Sequence, residues 1–222
     1  MKEVNSYGWK AVIGSSIGYA MDGFDLLILG FMLTLISGDL GLTTGQAGSL
    51  VTWTLVGAVI GGFIFGTLSD KFGRVRVLTW TIVLFAIFTG LCAFAQGYWD
   101  LLIYRTIAGI GLGGEFGIGM ALAAEAWPAQ HRAKATSYVA IGWQLGVLAA
   151  ALLTPVLLPY IGWRGMFMVG IIPAFVAWFF RAKLHEPEIF VHSKETKEHS
   201  HTNSFKLLVK DVRTTKTSIG VA

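Results

Sequence analysis

Residues 104–128 read Y-R-T-I-A-G-I-G-L-G-G-E-F-G-I-G-M-A-L-A-A-E-A-W-P. The stretch is apolar enough to cross a bilayer as a helix, and a span takes only about 20 residues. It nevertheless carries Arg105, Glu115 and Glu125, together with Gly109, Gly111, Gly113, Gly114, Gly117 and Gly119. Ionised groups at membrane depth are costly, so they face a water-filled path or a partner. Glycines on a membrane helix let another backbone approach closely. One helix thus combines tight packing with charge inside the membrane. Asp22-Gly-Phe-Asp25, in the first apolar segment, is the expected partner.

Composition agrees with a membrane chain. Of 222 residues, 54% are hydrophobic and 14% charged, whereas soluble domains run at about 25% charged. Mean hydropathy is +0.63. The 28 glycines and 8 tryptophans suit membrane helices and their interfaces. The single cysteine, Cys92, excludes an internal disulfide. The net charge of +4 does not point to nucleic acid, because the basic residues sit at the ends of apolar runs.

Outward from the opening stretch, the apolar runs predict an all-α membrane protein with six spans in residues 1–181. The expected spans are 10–36, 46–69, 77–96, 100–126, 135–158 and 165–181. Asp22 and Asp25, and the length of the first run, argue against a cleaved signal peptide. With the N-terminus in the cytoplasm, Lys2, Lys10, Lys71, Arg74, Arg76, Arg132, Lys134, Arg181 and Lys183 all fall inside. Arg164 alone falls outside, and Arg105 lies in the membrane. The positive-inside rule therefore predicts a multi-pass protein of the cytoplasmic membrane in that orientation. Residues 182–216 read as a polar cytoplasmic segment, with Phe205, Leu208, Val209 and Val212 spaced as one face of a short amphipathic helix. Residues 217–222 look like the onset of a seventh span, so the chain is expected to be the first part of a longer protein.

Asp22 and Asp25 stand three residues apart and share one helix face. From Lys10 they lie about 18 and 22 Å along the helix, near the bilayer centre. Two carboxylates there do not both ionise readily, so one is expected to hold and release a proton. The bland alternative for Asp22 is a cap or kink beside Gly23. Arg105 is expected to face inward and pair with Asp25, or to take a substrate carboxylate in a bidentate fork. Otherwise it would snorkel to the outer interface. Glu115, about 15 Å further along, reaches mid-membrane and is a second candidate for proton or substrate contact. Its bland alternative is a protonated packing residue.

Two other patterns carry nothing. Gly109-x-Gly111-x-x-Gly114 matches a dinucleotide fingerprint, but no strand precedes it and no acidic residue follows about 20 positions on. His192, His199 and His201 with Glu195 and Glu198 fit no metal-ligand spacing, so neither metal nor cofactor is expected.

Gly66-Thr-Leu68-Ser-Asp70-Lys71-Phe-Gly73-Arg74-Val-Arg76 resembles the loop between helices two and three of the major facilitator superfamily, G-x-L-x-D-R-x-G-R-[RK]-[RK], with Val75 at one basic position. Arg105 and its glycines resemble that superfamily's helix-four motif. Glu125-Ala-Trp-Pro128-x-x-x-Arg132 is similar to its E-x-x-P-x-x-x-R. The resemblance implies the six-helix N-terminal half of a twelve-helix fold, with a missing C-terminal half. It further implies a gating role for Gly66, Asp70, Lys71, Gly73, Arg74, Arg76, Glu125 and Arg132. Met21-Asp-Gly-Phe-Asp25 with Gly113-Gly-Glu115-Phe-Gly117 looks like the sialate and monocarboxylate proton symporters, and Asp22-Gly-Phe-Asp25 resembles the D-G-x-D of aromatic-acid symporters. Gly142 and Gly146 lack the G-P of drug antiporters, and Leu184-His-Glu-Pro187 is a loose echo of sugar porters.

The resemblance thus implies a proton-coupled symporter for a small organic anion, with a small-molecule substrate, protons and the lipid bilayer as partners. Proton coupling would fall to Asp22, Asp25 and Glu115, and substrate binding to Arg105, Asp25 and Glu115. The alternatives are a sugar or other neutral metabolite on the same fold, or a half-length protein without transport activity. An intramembrane protease would need a serine–histidine pair at depth. His131, His185, His192, His199 and His201 all fall in predicted cytoplasmic segments.

Overall fold

The computed structural model describes residues 6–181. The expected surface helix in 182–216, the onset of a further span at 217–222 and four of the histidines lie outside the described residues. Those described form helices joined by short turns, with no strand among them: α1 (Ser6–Leu40), α2 (Thr44–Phe72), α3 (Arg74–Cys92), α4 (Tyr98–Glu125), a 3-10 turn (Ala129–His131) and α5 (Arg132–Arg181).

The ends of these helices follow from local chemistry. Thr43 caps α2 in a capping box: its hydroxyl accepts from the Gln46 amide at 3.3 Å, while the Gln46 side chain accepts from the Thr43 amide at 2.9 Å. A single residue, Gly73, separates α2 from α3. Its φ of 110° is one that side chains rarely tolerate, so glycine is needed for so tight a reversal. α3 ends at Cys92, four residues short of the expected boundary, because Ala93, Phe94 and Ala95 tighten into i to i−3 hydrogen bonds.

The fifth and sixth expected spans run as one 50-residue element with a non-helical bend at Gly162 (φ 66°, ψ 179°). Unbent, α5 would extend about 75 Å, more than twice the hydrocarbon thickness of about 30 Å. The bend folds it into two limbs, 132–161 and 163–181. Leu145 and Leu153 of the first limb share a groove against α1 with Val176 and Val169 of the second. The limbs therefore lie side by side, so the described residues form six limbs long enough to cross a membrane.

α4 is the centre of the bundle. Of its most apolar window 61% is buried, against 22% for α2. Gly57 and Gly61 of α2 rest on the backbone of Thr106 and Ile110, and Gly109 and Gly113 of α4 on Thr54 and Ala58. Gly111 faces α3, where a methyl group would come within 2.7 Å of the Thr81 carbonyl. α1 packs on the first limb of α5 in the same manner, through Gly142 on Ser16 and Gly146 on Ala20. Small residues four apart allow these approaches, which replace the hydrophobic drive that lipid does not supply. The rest of the core is aliphatic and aromatic, with Ile28, Leu29, Met32, Phe85 and Phe167 fully buried.

Candidate functional site: an ion pair inside the bundle

Arg105 and Asp25 meet between α4 and α1. Nη1 donates to Oδ1 at 3.0 Å and Nη2 to Oδ2 at 2.7 Å. The side chains are 0% and 1% exposed, so the fork is sealed from solvent. Arg105 does not snorkel outward. The Phe167 ring lies 5.8 Å from its guanidinium carbon and closes another side. The Cys92 thiol, on the neighbouring stretch of α3, donates to the Phe88 carbonyl at 3.2 Å. A bidentate fork between buried charges fixes both side chains in place. Losing either partner would leave an uncompensated charge at depth.

Asp22 is also fully buried on α1, three residues from both Tyr19 and Asp25. Glu115 is 2% exposed and accepts a long hydrogen bond, 3.5 Å, from Thr81 of α3. Arg105 directs its fork to Asp25, ten residues back along α4 from Glu115. The candidate residues thus fall into two levels of the bundle, one at Asp25–Arg105 and one at Glu115. Tyr19 packs against Phe116 of α4 (centroids 5.0 Å) and Trp143 of α5 (5.6 Å), an aromatic cluster the sequence reading did not single out.

The candidate gate sits at the end of the bundle that carries the basic loops. Arg74 is its hub. It pairs with Asp70 at 3.0 Å and Glu125 at 3.1 Å, and donates to the Ser69 hydroxyl at 2.7 Å. Gly73 sets the turn just before it. Lys71, Arg76 and Arg132 are exposed around this hub. A methyl group on Gly66 would meet nothing within 4 Å, so no close approach explains that glycine.

At the opposite end is a cluster that the sequence reading missed. Asp39, in the last turn of α1, accepts from Arg164 at 2.6 Å and from the Trp163 indole at 3.0 Å. Arg164 lies 4.0 Å over the Trp163 ring and reaches the Ala95 carbonyl at 3.3 Å. These contacts tie the α5 bend to α1 and to the end of α3. The one available signal was Arg164 itself, a charge beside tryptophan at a predicted turn.

Residues 15–221 match the family model described as Major Facilitator Superfamily. A Haemophilus influenzae protein named only for metabolite transport is 75% identical over 99% of this chain and 55% of its own. The sialic acid transporter NanX of Escherichia coli is 32% identical over 87% of this chain and 48% of its own. The cis,cis-muconate transport protein of Acinetobacter baylyi is 33% identical over 95% and 52%. All three are named for transport, none as an enzyme. The inward-open xylose transporter XylE of E. coli shares the fold at a TM-score of 0.75 and 23% identity, over 95% of this chain and 55% of that one. The chain spans about half the length of these relatives. With six membrane-length limbs packed around a glycine-lined α4 and an intramembrane ion pair, the chain belongs to the major facilitator superfamily.

Proposed function

We propose that this chain forms the N-terminal half of a secondary active transporter that carries a small organic anion together with protons. The observation that supports this most is the sealed Arg105–Asp25 fork. A permanent cation at depth suits an anionic substrate, and a carboxylate beside it can release that cation by taking a proton. Protonated Asp25 no longer balances Arg105, so a substrate carboxylate takes over the guanidinium. Loss of the proton restores the fork and expels the anion. Asp22 and Glu115 are further proton-bearing groups within the same bundle, and Glu115 also a substrate contact. Relatives named for cis,cis-muconate and sialic acid carry substrates that are themselves carboxylates, which favours an anion over a neutral sugar.

Access would alternate as this half rocks against the second half of the protein, with substrate near the bilayer midplane between them. The basic-loop end lies in the cytoplasm by the distribution of Lys and Arg. There the Arg74 hub, held by Asp70 and Glu125, favours the outward-facing state as long as its pairs are intact. The test is Asp25→Asn in the full-length protein, assayed in proteoliposomes under an imposed pH gradient. Accumulation should be lost while exchange of carboxylate across the membrane survives. Unchanged pH-driven accumulation would overturn the coupling role.

A further inference from the structure

The bend of α5 and the end of α1 enclose a cavity that no step of the proposed transport uses. Its volume is about 610 Å³, within the range of about 300–1,000 Å³ typical of small-molecule sites. Leu35, Leu158 and Ile161 line it with apolar groups, and Asp39, Trp163 and Arg164 with polar ones. Asp39 accepts from Arg164 at 2.6 Å and from the Trp163 indole at 3.0 Å, and both bonds land on Oδ2. Oδ1 keeps its lone pairs for a further donor. Arg164 has five N–H donors, of which one reaches Asp39 and one the Ala95 carbonyl. The two charged side chains are close to half-exposed, so both remain open to a ligand.

Charge and depth together restrict what fits. A carboxylate and a guanidinium stand side by side, so a simple anion meets Asp39 and a simple cation meets Arg164. A molecule with both signs can set each against its opposite. The cavity also lies at the ends of helices. α1 has 35 residues and extends about 52 Å, more than the 40–45 Å or so of a bilayer with its headgroups. The last turn of α1, which carries Asp39, therefore reaches the headgroup layer. Trp163 and the exposed Tyr160 are of the residue types that favour that layer. Leu35 and Ile161 are exposed beside the charges. A hydrocarbon chain covers such a wall, whereas a small water-soluble zwitterion leaves it bare.

We propose that this cavity binds a phospholipid whose headgroup carries a primary ammonium beside its phosphate, a phosphatidylethanolamine. The ammonium donates to Oδ1 of Asp39, and the phosphate accepts from the remaining N–H groups of Arg164. The upper part of an acyl chain lies along Leu35, Leu158 and Ile161. Arg164 is held for this by the Trp163 ring, 4.0 Å from its guanidinium carbon. The lipid thereby extends the clamp that joins the α5 bend to α1. A choline headgroup has no N–H to donate to Asp39, and a glycerol headgroup has no cation, so the site prefers ethanolamine to both.

The test uses the full-length protein, stripped of lipid in detergent and given equal amounts of phosphatidylethanolamine, phosphatidylcholine and phosphatidylglycerol. Non-denaturing mass spectrometry then counts the lipids retained by each molecule. Wild type should retain the ethanolamine lipid about five-fold more strongly than the other two, equivalent to about 1 kcal/mol. Asp39→Asn and Arg164→Gln should each remove that preference. Leu35→Trp, which fills the apolar side and keeps both charges, should weaken retention as well. Equal retention of the three lipids by wild type overturns the proposal, as does an undiminished preference in Asp39→Asn. If soluble phosphoethanolamine in matching amount displaces the lipid, the site is one for a water-soluble zwitterion and the lipid assignment falls. If wild type retains none of the lipids and Asp39→Cys resists a water-soluble maleimide, the second half of the protein covers the cavity and the proposal falls.

Discussion

Trp127 donates its indole N–H to the backbone carbonyl of Gly8 at 3.0 Å, joining residues 119 positions apart. Two residues earlier, Glu125 reaches Arg74 at 3.1 Å. The end of α4 and the short loop after it therefore grip both the start of α1 and the hub at the start of α3. Trp9 and Tyr138 pack on the Trp127 ring, with centroids 5.1 and 6.0 Å away. The loop is the part of this end where a local change acts on three helices at once.

That arrangement separates two substitutions. Trp127→Phe keeps most of the ring packing and loses one hydrogen bond, which costs about 1 kcal/mol. Trp127→Ala also removes a large buried ring and costs about 3–5 kcal/mol. Thermal unfolding of the two variants in detergent should show this order, with the alanine variant falling several-fold further. Equal losses would mean that the aromatic packing contributes little.

Glycines within one helix should respond differently to the same change. Gly61 of α2 sits on the Ile110 backbone of α4, so Gly61→Ala forces the two helices apart. Overpacking of this kind costs about 1–3 kcal/mol. Gly48, earlier in α2, has nothing within 4 Å of an added methyl group. There the gain in helix propensity, up to about 1 kcal/mol, is unopposed. Gly48→Ala should melt at or above wild type and Gly61→Ala clearly below it. A neutral Gly61→Ala would show that α2 and α4 do not approach as closely as described.

The Arg105–Asp25 fork makes a prediction about coupling. Arg105→Ala alone leaves Asp25 sealed in the bundle and should cost about 3–5 kcal/mol. Arg105→Ala with Asp25→Ala removes both charges and should recover part of that loss. A double-mutant cycle on thermal stability should give an interaction of at least about 1 kcal/mol. Strict additivity of the two single changes would mean that the charges are stabilised by other groups.

The pairing of Arg105 with Asp25 is legible in the sequence because charges in apolar runs have few places to go. Asp70 and Arg74 are legible for a different reason, the resemblance of their loop to the superfamily's motif between helices two and three. Other features leave no such mark. The sharing of Arg74 between Asp70 and Glu125 joins two motifs 51 residues apart, and depends on how the ends of α3 and α4 cross. The Tyr19–Phe116–Trp143 cluster is set by three helix axes, which no periodicity encodes. Asp22 and Asp25 share a face, yet only the helix-to-helix register decides which one lies opposite Arg105. The chain reversal between the last two spans is predicted at 159–164, but the residue that makes it, Gly162, is one of several glycines and prolines nearby.

Gly162 carries a conformation that only glycine adopts readily. Its φ of 66° with ψ of 179° lies in a region costing other residues about 1–3 kcal/mol. A methyl group there would meet nothing within 4 Å, so the penalty of Gly162→Ala is backbone strain and not a clash. For a domain of this size that corresponds to a fall in melting temperature of about 3–10 °C. The neighbouring residues Trp163 and Arg164 both donate to Asp39, and Arg164 also holds the Ala95 carbonyl. Asp39→Asn removes the charge from this clamp, which is close to half-exposed and therefore screened by salt. Its effect on melting should be small at low salt and should fade at about 1 M salt, while that of Gly162→Ala should persist. Because both act on the same bend, the double variant should deviate from additivity. Wild-type melting of Gly162→Ala would mean that the bend does not need the backbone geometry described for it.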